Sequence, residues 1–224
     1  MTPRSNEQAD LAEHRGLLIT FEGPEGSGKT TLIQAIAELM TERGEQPLVI
    51  REPGGTAIGE RIRNILLDTE SEGMCSETEL LLMVASRAQL VREKIAPALA
   101  AGMSILCDRF ADASVAYQGY GRELGESTVN SLNRVALSDL QPDLTFLCLL
   151  PPAEGQARLQ NRATDRLDRE TAQFHEKVYK GYQAMAVSGD LRFKVIDAMA
   201  TPAEMLAVTL GHLKRLEHGL LKYL

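Results

Sequence analysis

No apolar run in the 224-residue chain approaches the roughly 20 consecutive residues that a membrane-spanning helix needs. Cysteine is scarce too. The 3 present are Cys75, Cys107 and Cys148, and an odd, sparse set without metal-ligand spacing argues against a disulfide framework or a zinc site. Cys107 and Cys148 stand in apolar, strand-like runs, where a thiol packs as a small hydrophobe. Basic residues are outnumbered: 24 Lys and Arg face 31 Asp and Glu, a net charge of −7. That balance disfavours a general nucleic-acid binder, which draws its affinity from neutralising phosphates. Any phosphate chemistry must then come from a local basic cluster. Residues 1–15 lack the basic start and apolar middle of a signal peptide, and read as a disordered leader on a cytoplasmic protein. No repeat, low-complexity tract or linker divides residues 16–224, which read as one domain.

What is present is organised around residues 17–31. An apolar run from Leu17 to Phe21 leads into Gly23-Pro24-Glu25-Gly26-Ser27-Gly28-Lys29-Thr30, with Thr31 following. The octet fits G-x-x-x-x-G-K-[ST], the phosphate-binding P-loop. Glycines let the backbone curl so that its N–H groups converge on an anion. Lys29 can reach terminal phosphates, and Thr30 can offer a hydroxyl to magnesium. The next stretch, with Leu32, Ile36, Leu39 and Met40 at helical spacing, ends at Gly44 and adds the positive end of a helix dipole.

Further apolar runs predict strands at Pro47–Arg51, Ser104–Cys107, Leu144–Leu150 and Phe193–Ile196, with helices between them. Ser76-Glu-Thr-Glu79 and Thr201-Pro-Ala-Glu204 have the pattern of capping boxes; the first opens a long helix that stops at Gly102. Alternation of this kind implies a parallel sheet covered on both faces. Ligands of such sheets sit beyond the carboxyl ends of the strands, and chemistry-bearing residues follow each strand here. Arg51-Glu-Pro53-Gly-Gly-Thr follows the second, where Arg51 is a candidate phosphate fork. Asp108-Arg109-Phe follows the third, with Asp108 where a magnesium-organising carboxylate belongs and Arg109 a candidate phosphate ligand. After the fourth strand, Arg158, Arg162, Arg166 and Arg169 interleave with Asp165 and Asp168, near one face of a helix-like segment. The P-loop interior has no basic residue, and phosphoryl transfer needs positive charge on the migrating group. This arginine-rich segment, about residues 158–170, is therefore the candidate lid.

Taken together, the motifs resemble the bacterial thymidylate kinase family. They are Phe21-Glu-Gly-Pro-Glu-Gly-Ser-Gly-Lys-Thr-Thr, Arg51-Glu-Pro-Gly-Gly-Thr, Ala85-Ser-Arg87-Ala-Gln, Asp108-Arg-Phe, Ala116-Tyr-Gln-Gly119 and Asp165-Arg-Leu-Asp168. The resemblance implies an α/β P-loop kinase fold, a five-stranded parallel sheet with helices on both faces and an arginine-rich lid. It implies transfer of a phosphoryl group from ATP to dTMP, with magnesium near Thr30 and Asp108. By the same token Glu25 approaches the sugar 3′-hydroxyl, and Arg51 and Arg109 hold the acceptor phosphate beside Pro53. Arg87 reads a base carbonyl, Tyr117 crowds the 2′ position, and Ser114 and Gln118 lie near base and sugar. Arg162 and Arg166 match lid arginines, and the family implies a homodimer. Catalysis would fall to Lys29, Arg109, Arg162, Arg166 and Glu25. One residue departs: the family usually stacks a Phe on thymine where this chain has Met83. Two other readings remain open. One is a related P-loop kinase for another deoxynucleotide or a deoxynucleoside. The other is a nucleotide-binding switch without transfer activity.

Overall fold

A computed structural model describes residues 15–159 and 164–216. Nearly all of the expected leader, Arg162 and residues 217–224 lie outside the described residues. Five strands form one parallel sheet: β1 (Leu18–Glu22), β2 (Leu48–Arg51), β3 (Ile105–Asp108), β4 (Leu144–Leu149) and β5 (Phe193–Asp197). Their order is β2-β3-β1-β4-β5, so the strand that feeds the P-loop lies at the centre. Each strand is where an apolar run predicts one, displaced slightly along the chain. Pairing carries β1 on to Glu22 opposite Leu147, and β2 and β3 end on the paired Arg51 and Asp108. Charged residues thus close β1, β3 and β5 one residue beyond the expected strands, and β2 ends on Arg51 as expected.

Alternation along the strands sends side chains to two covered faces. Ile19, Phe21, Leu106 and Phe146 pack beneath α1 (Lys29–Glu42), and the same cluster takes in Met205 and Leu213 from the C-terminal helix. Leu18, Ile105, Cys107 and Leu147 point the other way. That face is covered by α3 (Ser76–Leu90), α5 (Glu126–Leu137) and α7 (Ala172–Ala186). Between these in sequence lie α2 (Ala57–Leu67), a short α4 (Ala111–Ser114) and α6 (Pro152–Leu159), and the chain's last described helix is α8 (Pro202–Lys214). Helix α3 runs on through a π-turn at Val91–Ile95 to Ala100, and α4 into a π-turn at Val115–Gly121. Cys107 and Cys148 are buried free thiols, and Cys75 is exposed. No helix among the described residues is long and apolar enough to cross a membrane.

Two local readings of the sequence need correction. Thr201 and Glu204 form the expected capping box on α8. Ser76 and Glu79 do not: α3 begins after Cys75 with no side-chain cap. Glu79 is instead fully buried, because three long-range donors compete successfully for its carboxylate. The arginine-rich segment is not a continuous helix either. Helix α6 is described as far as Leu159, and residues 166–169 form turns. Asp165 accepts the N–H groups of Leu167 and Asp168, a local bond that competes with helical pairing.

The end of β1 fixes the floor of the cleft above it. The Glu22 side chain is fully buried and accepts the N–H of Phe110 at 2.7 Å and of Ala113 at 3.2 Å. The Tyr182 hydroxyl on α7 donates to its other oxygen at 3.2 Å. One carboxyl thereby joins β1, the turn after β3 and α7. Burial first, and the neighbouring Asp112 carboxylate second, push its pKa from the ordinary 4.5 up to about 8. The folded chain therefore holds a proton there over a pH window in which the unfolded chain has lost it. In that window stability falls as pH rises. Urea unfolding between about pH 5 and pH 8 should show this slope in the wild type. It should be shallower in Glu22→Gln, which keeps an acceptor for Phe110. An equal slope in the two proteins would place the titrating group elsewhere.

Candidate functional site

The P-loop curls between β1 and α1 through three glycines with positive φ: Gly23 at 141°, Gly26 at 74° and Gly28 at 81°. Gly23 has no room for a side chain, since a Cβ there would lie 2.2 Å from the Cys148 carbonyl oxygen. Lys29 opens α1 and folds back over the loop. Its ammonium donates to the carbonyls of Gly23 at 3.1 Å and Pro24 at 2.9 Å, and to Ser27 Oγ at 3.2 Å. Burial, and then the nearby Arg109 charge, lower its pKa. A phosphate arriving at the loop would offset both effects. One residue on, the Thr30 hydroxyl donates to Asp108 Oδ2 at 2.7 Å. Both residues line the cleft, so an oxygen-only pair stands at the mouth of the P-loop. Among the described residues no group of three or more His, Cys, Asp or Glu could hold a metal by itself. A hard divalent cation that takes most of its ligands from phosphate and water fits this pair.

The cleft has a volume of about 430 Å³ and is lined by P-loop residues Glu25 to Thr31 on one side. Arg51 and Pro53 from the end of β2, Arg109 from the end of β3, and Met83 and Arg87 from α3 line the other parts. Ser114, Tyr117 and Gln118 complete it from α4 and its π-turn. Every one of these was singled out from the sequence, and the fold brings them around one cavity. Of the P-loop set, Gly23 and Pro24 lie behind the lining, with their carbonyls on Lys29.

Arg109 is held in the left-handed region at φ 65°. Its guanidinium donates to the Gly23 carbonyl at 2.7 Å, Tyr182 OH at 3.0 Å, Glu25 Oε1 at 2.6 Å and Tyr117 OH at 3.0 Å. It also stands 4.9 Å from the centre of the Tyr117 ring. Burial works against its charge, but Glu25 and the two tyrosines outweigh this and hold the pKa above the ordinary value. Arg51, half exposed, makes a two-pronged contact with Glu60 at 3.1 Å on each arm. Arg87 is buried and committed on four sides: to Glu52 at 2.8 Å, Asn133 at 2.8 Å, the Phe110 carbonyl at 3.0 Å and Ser114 Oγ at 3.1 Å.

The arginine-rich segment divides. Arg158, at the end of α6, lines the cleft and donates to the Gly26 carbonyl at 3.2 Å. Arg166 does not line it. Its guanidinium is buried against Glu79 at 2.7 Å and the Leu66 carbonyl at 2.9 Å. Arg162 lies outside the described residues. Sequence reasoning passed over three polar cleft residues or supports, Arg63, Glu52 and Glu79. Arg63, on α2, lines the cleft and donates to the Pro53 carbonyl at 2.9 Å. Glu52 sits inside a motif already quoted, yet its role as the Arg87 partner depends on a contact 35 residues away. Glu79 has the spacing of a cap. None carries a local signal that separates it from a solvated helix face.

The arrangement can hold a polyphosphate on the P-loop and bring a second anion to Arg51 and Arg109 within the same cleft. Beyond them the lining combines the thioether of Met83 with the polar side chains of Arg87, Ser114 and Gln118. The family pattern described as thymidylate kinase matches residues 21–207. Thymidylate kinase of Desulfovibrio desulfuricans is 45% identical over 198 residues, covering 85% of this chain and 91% of the relative. That of Latilactobacillus sakei is 48% identical over 187 residues, covering 82% and 87%. That of Bacillus licheniformis is 46% identical over 186 residues, covering 82% and 88%.

Proposed function

The chain belongs to the thymidylate kinase family, and from that premise we propose how its cleft works. The enzyme transfers a phosphoryl group from ATP to dTMP, giving ADP and dTDP, a step towards dTTP. The observation that carries the residue assignment is that a P-loop lysine and a second arginine pair, Arg51 and Arg109, line one cleft. The loop amides and Lys29 bind the donor phosphates. Thr30 and Asp108 are the residues to hold magnesium, which supplies charge neutralisation on the donor phosphates when bound. Arg51 and Arg109 aim the acceptor phosphate at the donor. Glu25, tied to Arg109, faces the acceptor sugar. Met83, Arg87, Ser114 and Gln118 receive the base, and Tyr117 crowds the sugar 2′ position. The attacking phosphate oxygen is already anionic at neutral pH, so no strong general base is required. Positioning and preorganised charge carry the catalysis. ATP and the deoxynucleotide pool fed by the reaction are cytoplasmic, which supports a cytoplasmic enzyme.

Purified enzyme with ATP and magnesium should turn over dTMP in preference to dUMP, dCMP, dGMP, ribothymidine monophosphate and thymidine. ATP consumption should depend on the added acceptor. Lys29→Ala should nearly abolish turnover in a folded protein. Turnover of thymidine or dCMP instead would favour a sibling kinase, and acceptor-independent nucleotide binding without transfer would favour a switch.

Arg166 is the lid arginine for the migrating phosphoryl, which requires it to leave Glu79 on closure. Arg158 already reaches the P-loop from its other side. An arginine used mainly in the transition state acts on kcat. Arg166→Ala should therefore lower kcat by about 10³-fold, by analogy with arginine fingers, with little change in KM for ATP. Arg162→Ala should have a smaller effect of the same kind. Normal turnover in both variants and in the double variant would remove the lid from the mechanism.

Helices α2, α3 and α5 lie side by side and expose Ile58, Ile65, Leu81 and Val135, each half or more accessible. An apolar face of this extent supports a homodimer. Sedimentation velocity should give twice the chain mass, and Ile65→Glu should shift the protein towards monomer. A monomeric wild type would refute this.

A further inference from the structure

Gln118 is almost wholly buried and lines the cleft beside Met83, Arg87 and Ser114. Its amide nitrogen donates to Glu79 Oε1 at 2.8 Å. Among the described residues its carbonyl oxygen accepts no hydrogen bond. Glu79 takes three more bonds: Arg122 Nε on Oε1 at 3.2 Å, Arg122 Nη2 on Oε2 at 2.8 Å, and Arg166 Nη2 on Oε2 at 2.7 Å. Arg122 is itself paired with Glu170 and lies over the Phe174 ring at 4.6 Å. Burial opposes ionisation of Glu79, but the bonds from Arg122, Gln118 and Arg166 outweigh it and hold its pKa below the ordinary value. A carboxylate in that state only accepts. An amide can present either prong, and its network decides which. Against Glu79 only the NH₂ prong can point inward, so the carbonyl must turn to the cleft.

On the reading of the reaction given above, we propose that Glu79 is a positioning residue for base selection: it fixes the Gln118 amide so that an acceptor, not a donor, meets the base. The neighbouring Arg87 supplies the matching donor. Nε and Nη2 are taken up by Glu52, the Phe110 carbonyl and Ser114, whereas Nη1 meets only Asn133 among the described residues and so keeps one N–H to offer. An acceptor beside a donor complements an imide edge, where a ring N–H adjoins a carbonyl. Thymine and uracil have that edge. Cytosine has the reverse, an unprotonated ring nitrogen beside an amino group, and meets two mismatched contacts. A site built on hydrogen bonds rejects the mismatched partner strongly, because buried polar groups are left unpaired.

The test compares kcat/KM for dTMP and dCMP, at saturating ATP and magnesium, in the wild type, Glu79→Gln and Gln118→Met. Glutamine at position 79 can donate as well as accept, so the Gln118 amide is free to turn. The dCMP-to-dTMP ratio should rise about 10-fold or more in Glu79→Gln, with KM for ATP unchanged. Gln118→Met leaves the Glu79–Arg122–Arg166 cluster whole and removes both prongs. Its ratio should rise too, through loss of dTMP activity. An unchanged ratio in a folded Glu79→Gln overturns the proposal. If that variant does not fold, an unchanged ratio in Gln118→Met overturns it. These outcomes are distinct from failure of the reaction itself, which would appear as a wild type inactive on dTMP.

Discussion

A guanidinium removed from water must have its N–H groups met, and the cleft depends on satisfying that demand three times. Arg87, Arg109 and Arg166 are each buried or nearly so, and each is matched to a carboxylate: Glu52, Glu25 and Glu79. Such pairs contribute little net stability compared with well-packed apolar side chains, but removing one partner costs about 3–5 kcal/mol. Their value is positional. An arginine with four fixed partners cannot turn, and its charge is already aimed when a phosphate or base arrives. Although the chain carries a net charge of −7, six basic side chains, Lys29, Arg51, Arg63, Arg87, Arg109 and Arg158, line this one cleft.

The partners of each arginine come from different elements, so the site also ties the fold together. Arg109 follows β3, yet it bonds the P-loop after β1, the π-turn after α4 and Tyr182 on α7. Tyr182 in turn reaches Glu22 at the end of β1, which holds the turn that carries Arg109. This closed circuit explains how a non-glycine residue is kept at φ 65°. The left-handed conformation costs about 1–3 kcal/mol, and the surrounding bonds over-determine it. Strain and charge are thus concentrated at the carboxyl ends of the central strands, where the cleft opens.

What the sequence revealed follows from the range of the interactions involved. The P-loop and the strands depend on neighbours within a few residues, so spacing and apolar runs expose them. The five-stranded parallel sheet follows from that alternation. The ends of β1, β3 and β5 run one residue past the expected strands because Glu22, Asp108 and Asp197 continue the ladder while breaking the apolar pattern. Ser76 to Glu79 has the pattern of a capping box, and the local alternative is real. It loses because Glu79 meets Gln118, Arg122 and Arg166, at separations of 39, 43 and 87 residues. The arginine-rich segment fails as a helix for a local reason, since the Asp165 side chain takes the N–H groups that a helix would leave to carbonyls. Arg63 and Glu52 were missed because nothing near them in sequence marks them. Glu52 becomes a support only when Arg87, on another helix, arrives beside it.

The two roles of Glu79 bear on the order of events in the cleft. It holds Arg166, the proposed lid arginine, and the Gln118 amide on one carboxylate, with four donors on its two oxygens. In the proposed closure, where Arg166 leaves to meet the migrating phosphoryl, one of those four bonds would be lost. Arg122 remains with two, fixed by Glu170 and the Phe174 ring, so the carboxylate stays paired and ionised. The Gln118 bond is on the other oxygen from Arg166, and its direction is unaffected. On the proposed reading, the contact that meets the base is set before closure and survives it, while the Arg166 charge would reach the migrating phosphoryl only with closure. Arg122 makes this separation possible. Without it, the departing lid would leave Glu79 as a buried charge with a single neutral partner, a state that burial alone would drive towards protonation. A protonated Glu79 could donate as well as accept, and the amide it orients would lose its fixed direction at the moment of transfer.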